Sequence, residues 1–279
     1  MTHAARIAFV GAGNMAGALI RGLVANGARR AGDIVASDVR AEALAALRDA
    51  HAIATAQDNR EAVRDAGIVV LAVKPQVLPD VLDGFAQTLA TDALVISIAA
   101  GVPTAAIEAR LAAGTRVVRA MPNTPALVGA GATAVCRGAH AGAADLDAAE
   151  ALFRAVGVVV RVDEAQMDAV TALSGSGPAY VFRMIEALID AGVRGGLTRD
   201  TAAKLAGETV FGAAKLLRET GEAPDALRAK VTSPGGTTAA GIAALDEGGF
   251  HDAVLAAVER AIARGRELGE AAARKPTGG

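Results

Sequence analysis

Short apolar runs, each the length of a β-strand and each followed by a helix-length stretch, constrain this chain more than any other feature. Arg6–Val10, Ile34–Ser37, Ile68–Val73 and Leu94–Ile98 are the clearest of them. Asn14–Asn26, Glu42–Ala50, Val77–Leu89 and Pro103–Leu111 follow with helical spacing. Two runs, Ile68–Val73 and Leu94–Ile98, are apolar almost throughout, as expected of strands covered on both faces. Arg116–Arg119 and Val158–Val162 read as further strands. Strands alternating with helices predict an α/β domain with a doubly wound, mostly parallel sheet.

The pattern changes near Asp163. Beyond it no stretch reads as a strand. Met167–Leu173, Pro178–Arg194, Arg199–Thr220, Pro224–Lys230, Thr237–Glu247 and Phe250–Ala273 read as helices. Phe182, Ile185, Ile189 and Val193 recur at helical spacing. The expected domains are therefore 1–163, a sheet domain, and 164–279, all helical. The closing Ala-Arg-Lys-Pro-Thr-Gly-Gly reads as a disordered tail.

Composition narrows the function. Hydrophobic residues make up 52% of the chain but aromatics only 3%, and alanine is about a quarter. Few rings argue against a base-stacking platform. A net charge of −2 gives no basic bias toward nucleic acid or acidic membranes. The apolar runs fall well short of the roughly 20 residues of a membrane span. The start MTHAARIAFV shows no basic segment followed by a long apolar one, so no secretory signal is expected. A lone cysteine, Cys136, allows neither an internal disulfide nor a multi-cysteine metal site. A cytoplasmic protein without bound metal is expected.

Gly11-Ala12-Gly13-Asn14-Met15-Ala16 follows the first strand and opens a helix, the context that a dinucleotide fingerprint requires. Gly11 permits the tight turn, Gly13 lets backbone approach a pyrophosphate, and the free N–H groups of the helix start favour an anion. Ala16 stands at the sixth position, which tolerates alanine. The sheet domain is thus Rossmann-like. At the end of the second strand, Ser37-Asp38-Val39-Arg40 places an acid, which favours ribose hydroxyls, beside an arginine, which favours a 2′-phosphate. NADPH and NADH both remain open.

Five longer strings go beyond the generic fold. They are Ala72–Gln76 (AVKPQ), Ser97–Gly101 (SIAAG), Met121–Pro125 (MPNTP), Leu173–Tyr180 (LSGSGPAY) and Ser233–Thr238 (SPGGTT). In order and spacing they resemble the pyrroline-5-carboxylate reductases, the last enzymes of proline biosynthesis, over residues 6 to 270. The resemblance implies an oxidoreductase that reduces 1-pyrroline-5-carboxylate to L-proline with NADPH or NADH. It implies cofactor contacts at Gly11, Ala12, Gly13, Asn14, Met15 and Ala16, at Ser37 and Asn59 toward the adenosine, at Ala72, Val73, Lys74 and Pro75 in the switch-point loop, and at Ala100 beside the nicotinamide, with Met121–Pro125 near it. It places the substrate carboxylate at Ser233, Gly236, Thr237 and Thr238, with Thr238 close enough to the ring nitrogen to steer or protonate it. Its helical domain is a dimerisation domain, so a homodimer is implied, with decamers built from such dimers. One family member has an asparagine beside the substrate where this chain has Lys230, and that contact is not carried over.

Each segment also has a plainer reading. Ser233 or Thr237 could simply cap a helix, Lys74 could be a solvated surface lysine, and Met121–Pro125 could be a rigid turn. Tyr180 could donate a proton, but a lone tyrosine at a helix start more often packs. His3, His51, His140 and His251 lie outside every motif. A β-hydroxyacid dehydrogenase would share the architecture but needs a lysine on the helix after its glycine-serine loop, and Pro178–Arg183 has none. A non-catalytic NAD(P) sensor would keep Gly11–Ala16 without a reason to keep Ser233–Thr238.

Overall fold

The computed structural model describes residues 6–274. The chain divides into two compact units. One comprises the chain up to Ser176 together with the residues from Ala261 on, and the other is Gly177–Arg260. Residues 275–279, in the stretch expected to form a tail, lie outside the described residues.

The first unit holds the strands β1 (Ile7–Val10), β2 (Ile34–Ser37), β3 (Ala54–Ala56), β4 (Ile68–Leu71), β5 (Leu94–Ser97), β6 (Arg116–Met121), β7 (Gly131–Arg137) and β8 (Gly157–Arg161). Its helices are α1 (Asn14–Ala25), α2 (Ala41–His51), α3 (Asn59–Val63), α4 (Leu78–Phe85), α5 (Thr104–Glu108), α6 (Ala143–Phe153) and α7 (Met167–Val170). The strands form one sheet in the order β3-β2-β1-β4-β5-β6-β7-β8. Neighbours run parallel except β6 and β7, which are antiparallel. The order reverses between β1 and β4, the switch point at which a doubly wound sheet opens a crevice beyond its carboxyl ends.

Side-chain alternation explains the two layers of helices. Ile7 and Phe9 of β1, Ile68 and Val70 of β4, and Leu94 and Ile96 of β5 face one core. Ala8, Val10, Val69, Leu71 and Val95 face the other. β1, β4 and β5 are buried on both faces, so each reads as an apolar run. Ala16, Leu19, Ile20 and Leu23 of α1 recur at the spacing of one helix face and close the first core, with Leu44 and Leu47 of α2. Leu78, Leu82 and Phe85 of α4 close the second.

Two strands and two helices were not expected. β3 spans three residues, too few to show a pattern. β7 mixes glycine, alanine and threonine with one valine and one cysteine. The short α3 and the alanine-rich α6 lack a strong apolar stripe. β4 and β5 also end before Val73 and Ile98, because those residues turn out of the sheet into loops.

The second unit contains α8 (Gly177–Arg194), α9 (Arg199–Thr220), α10 (Pro224–Lys230), α11 (Thr237–Glu247) and the beginning of α12 (Phe250–Arg274). Among the described residues beyond Asp163 there is no strand, as the sequence predicts. α8 and α9 pack closely through small residues: a Cβ built on Gly192 would lie 3.0 Å from the Cβ of Ala202. Only Ala202 and Ala206 of this unit are buried.

Candidate functional site

The glycine loop sits at the switch point. Gly11 has φ +103°, and a Cβ there would lie 2.6 Å from the carbonyl oxygen of Ala72. Only glycine fits so close to the end of β4. Its N–H donates to Ser37 O at 2.7 Å, and Ala72 N–H donates to Val10 O at 2.8 Å. Three strand ends are thereby laced around the loop. α1 starts at Asn14 with Gly13 as N-cap; no side chain caps it, and no acid stands in its first turn. A Cβ on Gly13 would meet nothing within 4 Å. An uncapped helix start, open at Gly13 and without a competing carboxylate, fits a pyrophosphate.

The six residues of the fingerprint divide by role. Gly13, Asn14 and Met15 retain exposure, whereas Gly11, Ala12 and Ala16 are buried. The Ala12 N–H donates to Asp38 Oδ2 at 2.8 Å, so that donor is already engaged. Ala16 packs into the core beneath the loop. Gly11, Ala12 and Ala16 therefore shape the cradle, and the N–H groups beyond them are the ones available to an anion.

Asp38 also receives the N–H of Arg40 at 2.9 Å and pairs with its guanidinium at 3.1 Å. Desolvation pushes the Asp38 carboxyl upward, but the hydrogen bonds from Arg40 and from the Ala12 N–H outweigh it and hold the group below the usual carboxylate range. The acid and the arginine that seemed to pull in opposite directions are thus paired with each other. A groove lined by Gly13, Asn14, Arg21, Arg40 and His51 runs beside this pair.

Ser37 and Asn59 come together. Ser37 is fully buried, and its hydroxyl donates to Asn59 Oδ1 at 2.7 Å. That bond fixes the orientation of Asn59, which is half-buried at the start of α3. Asp58 caps the same helix and pairs with Arg60 at 2.7 Å, which lowers the pKa of Asp58.

On the far side of the switch point, Ala72, Val73 and Pro75 are half-buried while Lys74 is exposed. Val77 N–H donates to Lys74 O at 3.1 Å, which closes the turn. Ala100 is exposed in the loop after β5.

Asn123, in a segment expected to be a rigid loop that the resemblance puts near the nicotinamide, links two of the five strings. Its Nδ2 donates to Ser174 O at 3.1 Å, and its Oδ1 accepts from Ala132 N–H at 2.9 Å. A Cβ on Gly175 would lie 2.6 Å from Met121 Cε. Residues 171–175 form a π-helical turn there, an irregularity often found at functional sites. An amide side chain between two prolines, at the end of a buried strand, was the available signal.

The Ser233–Thr238 segment lies in the other unit. Gly235 has φ +71°, Gly236 is the N-cap of α11, and Thr237 is its first residue. No side chain caps this helix. The plain capping role for Ser233 or Thr237 is therefore not seen: the Ser233 Oγ lies against Gly236, and Gly236 N–H donates to Ser233 O at 3.0 Å. Ser233 and Thr237 are exposed, and Gly236 and Thr238 half-buried. Uncapped N–H groups with two threonine hydroxyls suit a carboxylate. Lys230 pairs with Glu222 at 2.5 Å.

Other nucleophiles and ligands are poorly placed. Cys136 is buried, and burial foremost, with the nearby Glu164 carboxylate, pushes its thiol up to about 12. His140 and His251 are exposed. Among the described residues no three His, Cys, Asp or Glu side chains gather as a metal site, and no helix is long and apolar enough to cross a membrane.

Comparison with known proteins supplies the family. Residues 164–268 match pyrroline-5-carboxylate reductase dimerisation, and residues 6–101 match the coenzyme F420-dependent NADP oxidoreductases. A pyrroline-5-carboxylate reductase of Methanosarcina acetivorans is 47% identical over 95% of this chain and 98% of its own length. The chain belongs to the pyrroline-5-carboxylate reductase family. The Pseudomonas aeruginosa reductase is also 47% identical, over 95% of this chain and 97% of its own. Among solved structures, the Coxiella burnetii reductase superposes with a TM-score of 0.91 at 41% identity, covering 95% of this chain and 99% of that one. The Plasmodium falciparum reductase, solved with NADP bound, gives 0.84 at 30% identity, covering 95% and 98%. As a family member the chain is an NAD(P)-dependent oxidoreductase with a dimerisation domain.

Proposed function

We propose that this reductase converts 1-pyrroline-5-carboxylate to L-proline with NADPH or NADH. The observation that carries the reading is the pair of uncapped helix starts. One, at Gly13–Asn14, suits a pyrophosphate; the other, at Gly236–Thr237, suits a single carboxylate. A sensor of NAD(P) alone has no use for the second. α8 contains no lysine, which a hydroxyacid dehydrogenase would use as its acid–base group.

When bound, the dinucleotide supplies the hydride that reduces the C=N carbon. The N–H groups of Gly13, Asn14 and Met15 hold the pyrophosphate, with Gly11, Ala12 and Ala16 shaping their loop. Asn59, oriented by Ser37, meets the adenosine side. Ala72, Val73, Lys74, Pro75 and Ala100 border the nicotinamide. Ser233, Gly236, Thr237 and Thr238 hold the substrate carboxylate. A cyclic imine is basic enough to bind partly as its iminium, so the protein needs orientation and anion recognition more than a strong acid. Thr238 is the catalytic residue, its hydroxyl steering the ring nitrogen that ends protonated.

The enzyme works as a homodimer, with a decamer as the further assembly. The helices of the second unit leave Phe182, Leu205 and Phe211 more than half exposed, and such apolar surface calls for a partner. The reaction belongs in the cytoplasm, where NAD(P)H is regenerated.

The decisive experiment follows NAD(P)H absorbance on addition of pyrroline-5-carboxylate. Substrate-dependent loss of absorbance with formation of proline is expected. Cofactor binding without turnover would overturn the reading in favour of a sensor.

A further inference from the structure

We propose that Glu164 is a positioning residue for hydride transfer, acting through the β5–α5 loop. This rests on the reading above, in which Ala100 on that loop borders the nicotinamide. Glu164 Oε1 accepts the backbone N–H of Thr104 at 2.7 Å, and Oε2 accepts the Thr104 hydroxyl at 2.6 Å. Thr104 is buried and is the first residue of α5. The N-cap of α5 is Pro103, which has no acceptor side chain, so a carboxylate distant in sequence caps the helix instead.

The other hand of Glu164 reaches the strand before the loop. Arg119 Nη1 lies 3.4 Å from Glu164 Oε1. Arg119 stands on β6 directly beside Ser97, the last residue of β5. Its side chain is 6% exposed, and its Nη2 has no hydrogen-bond partner. A buried guanidinium with so little other support is costly to strand, so the carboxylate cannot swing away freely. One side chain thus grips both ends of residues 98–103: Thr104, which follows them, and Arg119, which is paired with the residue preceding them. Within the loop, Ala99 N–H donates to Ser97 Oγ at 3.2 Å, and Gly101 turns the chain at φ +74°.

The consequence is specific. The helix start at Gly13 and the Ser37–Asn59 pair stand on other strand ends and share no hydrogen bond with Glu164. Releasing the clasp should therefore misplace the Ala100 rim while leaving most cofactor-binding contacts in place. Displacements of order 1 Å can cost up to about 100-fold in rate, so Glu164→Ala is expected to lose about tenfold in kcat.

The test compares wild type, Glu164→Ala, Thr104→Val and Thr104→Ser. For Glu164→Ala, kcat should fall about tenfold, while the NADPH dissociation constant from fluorescence titration changes less than about twofold. The primary isotope effect with C4-deuterated NADPH should rise, and amide hydrogen exchange across residues 98–103 of the cofactor-free protein should speed up. Thr104→Val keeps Arg119 paired and should show the same changes more weakly; Thr104→Ser should restore wild-type values. If Glu164→Ala does not fold, the two Thr104 variants decide. A folded variant with wild-type kcat, isotope effect and loop exchange would overturn the inference, as would NADPH affinity falling in step with kcat. A wild-type protein that does not reduce pyrroline-5-carboxylate would instead overturn the functional reading on which the inference stands.

Discussion

Alanine at Gly11 and alanine at Gly13 should damage the same loop in two different ways. At Gly11 the backbone has φ +103°, where an L side chain costs about 1–2 kcal/mol. The new Cβ would lie 2.6 Å from Ala72 O, 2.8 Å from its carbonyl carbon and 3.1 Å from Val73 Cγ1. The first two atoms are backbone at the end of β4, held by the Ala72 N–H bond to Val10 O, so the strand end or the loop must move. Overpacking of this kind costs about 1–3 kcal/mol. Together the two effects reach about 2–5 kcal/mol, a large part of a domain stability of about 5–15 kcal/mol. At Gly13, φ is −79° and a Cβ meets nothing within 4 Å. There alanine costs about 1 kcal/mol or less, as a poorer N-cap residue. Its methyl group would instead stand where the pyrophosphate must approach. Urea unfolding at fixed protein concentration, with NADPH fluorescence titration, separates the two. Gly11→Ala should lower the unfolding midpoint clearly; Gly13→Ala should lower it much less and lose cofactor affinity. A wild-type midpoint for Gly11→Ala, or undiminished affinity for Gly13→Ala, would refute the argument.

Thr238→Ala should lower kcat by about 10²-fold, the low end for positioned proton transfer, with little change in NADPH affinity; unchanged turnover would remove the hydroxyl from the mechanism. Asp38 should contribute stability that is complete above an unfolded pKa of about 3.9 and is lost as pH falls through its lower folded value, because Arg40 and two N–H groups favour its charged form. Asp38→Asn should accordingly flatten the acid limb of a stability–pH curve, and an unaltered limb would count against the pairing. Phe182→Asp, at a side chain 60% exposed, should shift light scattering toward monomer; an undiminished mass would show that this face is not part of the subunit contact.

How much of the molecule the sequence reveals depends on how much apolar contrast each element carries. β1, β2, β4 and β5 are buried on both faces, so both faces must be apolar and the run stands out. β7 is largely buried too, yet it is built mostly from small residues and lacks the apolar contrast that marks the others. The glycine loop was legible because its geometry permits few residues. The helix start at Thr237 was legible because proline and two glycines leave little else to form there. Glu164 was not legible, since it reaches Thr104 across 60 residues, a proximity only the fold creates; Asn123 was marked only as an amide between two prolines, and its bond to Ser174 O was hidden in the same way. The burial of Ser37 was equally hidden: nothing in the sequence shows that its hydroxyl donates to Asn59.

The alanine content takes its meaning from where the alanines are buried. Most of them lie in the sheet unit, where Ala8, Ala16 and Ala36 let helices and strands approach closely. In the helical unit the only buried residues are again alanines, Ala202 and Ala206, and they do no more than bring α8 and α9 together. Two buried methyl groups are a negligible core for several helices, and larger apolar side chains remain exposed along α8 and α9. Either those side chains are covered or the unit has almost nothing to hold it folded. The match of residues 164–268 to a dimerisation domain marks this unit as the one such cover would fall on. On the proposed homodimer, folding of the second unit and association of two chains are one event, and stability of the enzyme should depend on protein concentration.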